Sequence, residues 1–406
     1  MRRILYFFLP VVLAMSFMAT SCRNDCSDCD FSPVFPKHKR ALFYYMGMDN
    51  NLSGFGVRNL DAMRRGTTAE NMNGGAIVVF NDNPTTIGSN THLIYLYADS
   101  RGSRERIIYE WDENLDSSDP EVLRMAFEKA RELVNAESWA LGVGSHGSGW
   151  LPATAPSSRA LIDNRGSYME MHDFVNALPA GTFDFAIMDL CYMGGVEFAY
   201  AMRSKVRYVV ASPAEIMGDG MPYDLILKHI FADVPRLGEG GVAEVFYEYY
   251  LNNSNEFNRF GTIALYDCSM FGALAEVMSE VVAPKKDMIE AMTRAYLNTR
   301  IQSFHRPGTI SGFRDFEPAI LDLREFVYDL YPESEDDDLR RRFDEALDRA
   351  VIYKRTTEQR LFPSQFTVPK ERYSGVGTYI PIGAYAALNH YYWQTAWAKA
   401  VYGVME

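Results

Sequence analysis

Two short apolar segments, each ending near a side chain that can take part in catalysis, dominate this sequence. The first covers Ser138–Gly144 and is followed by His146, and the second covers Phe183–Leu190 and ends at Cys191. Glycines follow both segments, a pattern typical of buried parallel strands. Adjacent parallel strands bring their carboxyl ends to one edge of a sheet, where open α/β proteins bind ligands. We therefore expect His146 and Cys191 to meet at such an edge.

The spacing of these two residues also fits one crossover unit, with a loop, a helix near 171–178 and a return strand between them. An imidazole can supply the base or the positive charge that a cysteine needs to become a nucleophile at neutral pH. Gly147 leaves its backbone N–H uncovered, as an oxyanion donor requires. From position alone, Cys191 is equally compatible with an inert buried thiol. The rival strand-end cysteine, Cys268, is disfavoured because its neighbour Asp267 opposes thiolate formation.

Alternating strand and helix patterns predict an α/β fold with a mostly parallel sheet covered on both faces. Helical spacing predicts a helix over 120–137. Beyond residue 268 the pattern is rich in helices, predicted at 269–281, 285–299, 320–330 and 336–354. The strands are expected at 40–46, 75–80, 92–98, 106–111, 139–144, 184–189 and 207–212.

Composition supports a large core and argues against one class of partner. Hydrophobic residues make up 48% and aromatic residues 14% of the chain. The formal net charge of −13 argues against nucleic-acid binding, which requires a basic face. The sequence has no H-E-x-x-H motif or comparable paired spacing, so no metal site is predicted.

The first 22 residues have the pattern of a bacterial lipoprotein signal. Arg2 and Arg3 precede an apolar run, and small residues lead to Cys22. We expect lipidation of Cys22, attachment to a membrane and a location in the bacterial cell envelope. An ordinary secretory signal with an incidental cysteine is the alternative. Residues 23–38 are predicted to be a flexible tether, in which Cys26 and Cys29 form a local disulfide or stay free rather than bind metal.

A set of motifs, in order, resembles the clostripain-type cysteine peptidases, which are relatives of the caspases. The resemblance covers most of the chain after about residue 40. It rests on the set rather than on any single motif, since each alone is weak. The motifs are Tyr44-Tyr45-Met46-Gly47-Met48-Asp49-Asn50-Asn51-Leu52, His146-Gly147-Ser148-Gly149-Trp150, Asp189-Leu190-Cys191-Tyr192-Met193, Tyr208-Val209-Val210-Ala211-Ser212 and Gly220-Met221-Pro222-Tyr223.

This resemblance implies a caspase-like three-layer sandwich, with a peptidase core over 39–268 and a helix-rich region over 269–406 packed on it. It implies a cysteine endopeptidase acting on peptide or protein substrates. His146 and Cys191 would form the catalytic dyad, and the N–H groups of Gly147 and Cys191 the oxyanion hole. No cofactor is required by the motifs, and the resemblance leaves calcium open.

By the same resemblance, Asp189 would line the pocket for the substrate residue before the cleaved bond (P1) and select Arg or Lys. A structural carboxylate held by backbone amides is the alternative. Asp49, Asn50, Ser212 and Glu215 would border the cleft, although Asp49 and Asn50 equally suit a plain turn. Pro213 departs from the family pattern and displaces the following acid to Glu215, which makes a basic P1 preference less secure.

The loop over 151–166 is rich in Pro, Ser and Ala and is expected to be exposed. Relatives often activate by cutting themselves in this region, and Arg159 and Arg165 are the basic candidates. An uncut surface loop is the alternative. Two functions also rival the basic-specific peptidase: a catalytically silent surface protein that binds peptides or glycans, and a peptidase with a non-basic P1 preference.

Overall fold

The computed structural model describes residues 36–84, 90–153, 161–305, 320–332 and 336–403. The predictions for residues 1–35, among them lipidation of Cys22, lie outside the described residues. In the described part of the chain, no helix is long and apolar enough to cross a bilayer.

In the first 270 residues, the predicted strands fall close to their observed positions. The strands of the described chain are β1 (His38–Gly47), β2 (Ala76–Asp82), β3 (His92–Asp99), β4 (Gly102–Glu110), β5 (Ala136–Gly144), β6 (Ile162–Asn164), β7 (Ser167–Met169), β8 (Phe183–Asp189), β9 (Val206–Ala211), β10 (Thr262–Asp267), β11 (Leu321–Asp322), β12 (Val351–Thr356) and β13 (Gly377–Thr378).

Helices connect most of these strands and fill much of the later chain. They are α1 (Ser53–Gly66), α2 (Ala69–Met72), α3 (Pro120–Leu133), α4 (Met171–Ala177), α5 (Val196–Met202), α6 (Tyr223–Ile230), α7 (Val242–Leu251), α8 (Phe271–Val282), α9 (Lys286–Ala291), α10 (Arg294–Arg300), α11 (Leu323–Leu330), α12 (Asp337–Ala350), α13 (Ala386–Tyr392) and α14 (Ala396–Tyr402).

Nine of the described strands form one sheet in the order β12-β10-β9-β8-β5-β1-β2-β3-β4. The five central strands, from β9 to β2, are parallel to one another. On each side the next strand, β3 or β10, runs antiparallel. The mostly parallel sheet predicted from the sequence is therefore confirmed, and the carboxyl ends of β1, β5 and β8 lie side by side.

Helices cover both faces of this sheet, which gives three layers. Along β1, Leu42, Tyr44 and Met46 belong to the apolar cluster that includes α1 and α6. The alternate residue Phe43 packs on the other face, with its ring 5.2 Å from that of Phe127 in α3. This period of two is what a strand between two helical layers requires.

The C-terminal region differs from its prediction in one respect that affects the sheet. The helix expected over 336–354 ends at Ala350, and Val351–Thr356 forms β12, which pairs with β10. The sequence Val351, Ile352, Tyr353 favours a strand, and an open sheet edge is available beside it. The helix expected over 285–299 is also divided, because Met292 is extended and Thr293 caps α10 through the N–H of Tyr296.

Candidate active site

The register between β5 and β8 brings two predicted residues to equivalent positions. Gly144 is the register partner of Asp189 in this parallel pair. His146 lies two residues beyond Gly144, and Cys191 lies two residues beyond Asp189. Both side chains line one cleft, which has a volume of about 430 Å³ at the carboxyl edge of the sheet. The two chain segments therefore meet as the strand pattern predicted.

The walls of this cleft come from four parts of the chain. Two are the segments that follow β5 and β8. The third is the start of α1, and the fourth is the segment between β9 and α6. From α1 and the turn before it come Leu52, Phe55 and Asn59, and from the fourth segment come Glu215, Ile216, Met217, Gly218 and Gly220. The cleft thus combines apolar walls with a few polar groups, as peptide and small-molecule sites usually do.

His146 is held by a residue from the neighbouring strand end. Its Nε2 lies 2.6 Å from Oδ1 of Asn51, in the turn that follows β1. Because this oxygen can only accept, Nε2 carries the hydrogen and Nδ1 keeps its lone pair. The imidazole therefore has a defined tautomer with Nδ1 able to take up a proton.

Cys191 lies at the point where the chain leaves β8 and turns toward α5. The next residue, Tyr192, adopts a left-handed backbone with φ of 64°. Its N–H donates to the carbonyl of Ala214 at 3.0 Å. The Sγ atom accepts a hydrogen bond from the N–H of Ile216 at 3.3 Å and lies 3.7 Å from the carbonyl oxygen of Ile216. The left-handed backbone of Tyr192 costs conformational free energy in a non-glycine residue, and such residues are often found at functional sites.

Asp189 forms a buried carboxylate in the wall of the cleft. Its Oδ2 accepts hydrogen bonds from the N–H of Met221 at 3.1 Å, the hydroxyl of Tyr223 at 2.9 Å and the amide of Asn59 at 3.5 Å. Burial raises the pKa of Asp189 to about 6, and the N–H of Met221 and the nearby hydroxyls of Tyr223 and Tyr44 offset part of the effect. The three donors are neutral, so the charge of this carboxylate is not balanced by a cation among them.

Two glycines are required by close approaches in the cleft. A Cβ on Gly147 would lie 2.6 Å from the carbonyl oxygen of Cys191, so a larger residue would push the two segments apart. Gly220 has φ of 65°, and a Cβ there would lie 2.6 Å from Oδ2 of Asp189. Within the described residues, the N–H of Gly147 donates no hydrogen bond, and it remains available to a ligand.

Asp49 and Asn50, predicted to border the cleft, instead fix the loops beside it. Asp49 forms an ion pair with Arg165 at 3.2 Å and accepts from Asn114 at 2.9 Å. The amide of Asn50 donates to the carbonyl of Asp163 at 2.7 Å, and its oxygen accepts from the N–H of Leu52. These contacts fit the alternative that the sequence left open, in which Asp49 and Asn50 form a turn.

Of the two predicted residues after β9, one reaches the cleft. Glu215 lines it and accepts a hydrogen bond of 2.9 Å from the hydroxyl of Tyr192. Ser212 is fully buried, and its hydroxyl pairs with Thr262 and with the backbone of Ala214. The substrate-binding role expected for Ser212 does not fit this position, because its hydroxyl is buried and bonded within the fold and the residue does not line the cleft.

The two self-cleavage candidates differ in what the structure describes. Arg165 lies in the tight turn between β6 and β7, with φ of 48°. Its N–H donates to the carbonyl of Asp49, and its side chain contacts Asp49 and Asn164. Peptide recognition that adds a strand requires an extended segment, so this turn is a poor cleavage site. Arg159 lies outside the described residues.

The rival cysteine is poorly placed for catalysis. Cys268 is fully buried, and burial with the adjacent Asp267 raises its thiol pKa well above the usual range. Because β10 runs antiparallel to β9, Cys268 follows the opposite edge of the sheet from Cys191. In the described part of the chain, no group of three or more His, Cys, Asp or Glu residues could hold a metal ion.

The sequence alone did not single out three side chains that shape the site: Asn59, which lines the cleft, and Asn51 and Tyr223, which contact His146 and Asp189. Two of them lie in motifs that were recognised, since Asn51 belongs to the turn after β1 and Tyr223 to the Gly220–Tyr223 segment. Because β1 and β5 are adjacent, a polar residue after β1 is a natural neighbour for His146. Asn59 has no comparable sequence signal, since it is a polar residue in the middle of a helix.

The order of these motifs along the chain matches one known family. The sequence profile of the clostripain family of peptidases, C11, matches residues 44–394. The chain belongs to the clostripain family. It is therefore a cysteine peptidase, and the expectation from the motifs is confirmed at this level.

Solved structures of this family agree with the fold. An inactive zymogen of a C11 protease from Parabacteroides distasonis is 27% identical, with a TM-score of 0.74 over 91% of this chain and 99% of that chain. A secreted C11 cysteine protease from Bacteroides thetaiotaomicron, solved with an irreversible peptide inhibitor, is 26% identical, with a TM-score of 0.74 over 90% and 99%. The clostripain-family chain described here accordingly has a caspase-like fold. Among curated proteins, no sequence is significantly similar to it.

Proposed function

We propose that this clostripain-family peptidase is an endopeptidase that uses Cys191 as its nucleophile and His146 as its general base. The register of β5 with β8 carries the proposal, because it puts the two residues at equivalent positions beyond adjacent parallel strands. Their exposure on one cleft gives a substrate access to both. A thiol and an imidazole in this arrangement suit acyl transfer.

The proposed reaction follows from these side chains. His146 takes the thiol proton on Nδ1, and the thiolate attacks the scissile carbonyl carbon. The peptide C–N bond then breaks while the proton passes to the leaving amine, which leaves a thioester on Cys191. A water molecule, deprotonated by the same imidazole, hydrolyses the thioester and restores the free thiol. The N–H of Gly147, which has no hydrogen-bond acceptor among the described residues, is the proposed oxyanion donor.

Asp189 is the proposed selector of a basic P1 residue. It is a buried carboxylate in the wall of the cleft, and its three hydrogen-bond donors are neutral. A substrate cation would balance its charge at a site that water solvates poorly. Glu215 adds a second acidic group on the same cleft. These two carboxylates favour lysine or arginine over a non-basic P1 residue.

Fluorogenic peptides that differ only at P1 test this function. Wild-type protein is expected to cleave the lysyl and arginyl peptides. Cys191→Ala and His146→Ala should each lower kcat/KM by about a thousandfold or more. Cys268→Ala, which removes the buried thiol at the opposite sheet edge, is the matched control and should keep activity. Equal cleavage by wild type and Cys191→Ala would overturn the nucleophile, and preference for a non-basic peptide would overturn the role of Asp189.

We also propose that the protein is anchored to the cell envelope through Cys22 and that any self-cleavage in the 151–166 loop occurs at Arg159. The lipoprotein-like pattern before Cys22 supports the first part, and the tight turn around Arg165 supports the second. Labelling cells with a fatty-acid analogue and comparing wild type with Cys22→Ala tests the anchor. Sequencing the new amino termini of purified protein, with Arg159→Ala and Arg165→Ala as a pair, tests the cleavage site.

A further inference from the structure

The two oxygens of the Asp189 carboxylate are used unequally. All three hydrogen bonds that reach this group, from Met221, Tyr223 and Asn59, go to Oδ2. Among the described residues, no group forms a hydrogen bond to Oδ1; the hydroxyl of Tyr44 lies near enough to favour the ionised carboxylate but forms no hydrogen bond with it. An ionised carboxylate oxygen offers about two lone-pair positions. The two close donors, the hydroxyl of Tyr223 at 2.9 Å and the N–H of Met221 at 3.1 Å, fill these positions on Oδ2, whereas the amide of Asn59, at 3.5 Å, adds only a long contact. A ligand in the cleft therefore meets one available acceptor atom rather than a pair.

This asymmetry separates the two basic side chains chemically. A guanidinium binds a carboxylate best with two parallel N–H groups, one to each oxygen. A lysine ammonium is a compact charge whose N–H groups point in separate directions, so a single oxygen is sufficient for each. The carboxylate of Asp189 can therefore bind a lysine ammonium through one oxygen, but it cannot bind a guanidinium through both.

The wall beside this carboxylate adds a second, independent reason. An arginine side chain also gains by stacking its guanidinium on an aromatic face. Phe55 and Tyr192 are the aromatic residues of the described cleft lining. Arg58 already lies over the Phe55 ring, 4.2 Å from the centroid, and His305 packs on the Tyr192 ring, with centroids 4.4 Å apart. Gly218 packs against the Phe55 ring, so closely that a Cβ there would lie 2.3 Å from it. The remaining apolar surface, from Leu52, Met48 and Met217, suits the aliphatic stem of a lysine.

We propose that this cleft prefers lysine over arginine at P1, because Asp189 offers a single free carboxylate oxygen and the Phe55 ring is already occupied. The proposal rests on the proposed function, since it requires Asp189 to receive the P1 side chain. It makes Tyr223 a specificity-determining residue, since its hydroxyl is the closest of the three groups that occupy Oδ2.

Three peptides identical except for P1 lysine, arginine or norleucine provide the test. For wild type, kcat/KM for the lysyl peptide should exceed that for the arginyl peptide by roughly tenfold, the scale of one charge-assisted hydrogen bond. Both should exceed the norleucyl peptide. Arginine cleaved as well as lysine, or better, would overturn the proposal while leaving a basic-specific peptidase in place. Both basic peptides at or below the norleucyl level would show instead that the proposed function itself is wrong.

A pair of variants tests the cause of the preference. Tyr223→Phe removes one of the two close donors to Oδ2, so each oxygen then has a position for a ligand N–H and the lysine-to-arginine ratio should fall toward one. Tyr250→Phe is the matched control, because its hydroxyl donates to the carbonyl of Gly220 and not to the carboxylate. Its ratio should equal that of wild type. An unchanged ratio in folded Tyr223→Phe would overturn the proposal, and if that variant does not fold, the wild-type ratio decides alone.

Discussion

Asn51 and His146 follow neighbouring parallel strands and are joined by a hydrogen bond of 2.6 Å between Oδ1 and Nε2. This contact fixes the tautomer in which Nδ1 carries the lone pair and can act as a base. Asn51 is thus a positioning residue for the proposed dyad, acting through the imidazole rather than on the substrate.

Loss of this contact should affect turnover more than substrate binding. Asn51→Ala is expected to lower kcat by roughly tenfold with little change in KM, because the imidazole then samples other orientations and tautomers. Steady-state kinetics with a lysyl peptide measure both parameters. Asn50→Ala is the control, since its amide contacts backbone carbonyls and not the histidine. Equal effects of the two variants on kcat would count against the positioning role.

A buried histidine supports the residue that follows the proposed nucleophile. The ring of His305 packs on the ring of Tyr192, with centroids 4.4 Å apart, and neither of its nitrogens has a hydrogen-bond partner among the residues that the structure describes. His305→Ala should lower kcat several-fold, because the left-handed Tyr192 loses its packing partner. His305→Phe keeps the ring and should retain most of the activity, since an apolar ring leaves no unpaired nitrogen. Similar losses in both variants would assign the effect to the nitrogens instead.

The preference for a basic P1 residue should depend on pH through Asp189. Its pKa is about 6 because burial disfavours the charged form. Below pH 6 the carboxyl group is neutral and no longer attracts a cation, so the ratio of kcat/KM for lysyl over norleucyl peptides should fall. The titration of the dyad affects the cleavage of both peptides equally, so it cancels in the ratio. In Asp189→Asn the ratio should be low and independent of pH, and a wild-type ratio that stays flat from pH 5 to 8 would contradict the assignment.

Glu197 should make the fold less stable at alkaline pH. Glu197 lies in the first turn of α5, and its buried carboxylate accepts a hydrogen bond of 2.9 Å from the N–H of Tyr379. Burial raises the pKa of this carboxylate to about 7. A raised pKa means that the native state binds the proton more tightly than the unfolded chain. The stabilisation is therefore complete below the unfolded pKa, near 4.5, and is lost as pH rises through 7.

Denaturant unfolding of wild type and Glu197→Gln across pH 5 to 9 measures this contribution. The amide keeps an acceptor for Tyr379 and does not titrate. The variant should gain on the order of 2 kcal/mol relative to wild type between pH 5 and pH 9, since one pKa unit corresponds to about 1.4 kcal/mol. Parallel pH dependence of the two proteins would show that Glu197 does not titrate in this range.

The sequence predicted the elements that depend on local pattern, and it missed those set by neighbouring chain segments. The strands before His146 and Cys191 are apolar runs bounded by glycines, so their pairing could be expected. The helical pattern over 336–354 includes the first four residues of β12, because nothing in the local sequence indicates the open sheet edge beside β10. The three groups on Oδ2 of Asp189 come from α1, from the segment before α6 and from the first residue of α6. Their meeting depends on how helices pack across the sheet, which spacing along the chain does not encode.

Covalent labelling tests the pairing of His146 with Cys191 most directly. A lysyl chloromethyl ketone should add one label to wild-type protein, mapped by peptide mass to Cys191 and absent from Cys191→Ala. In His146→Ala, labelling should be slower by about a hundredfold or more, because the thiol loses its base. A label on Cys268, or equal labelling rates in wild type and His146→Ala, would contradict the account.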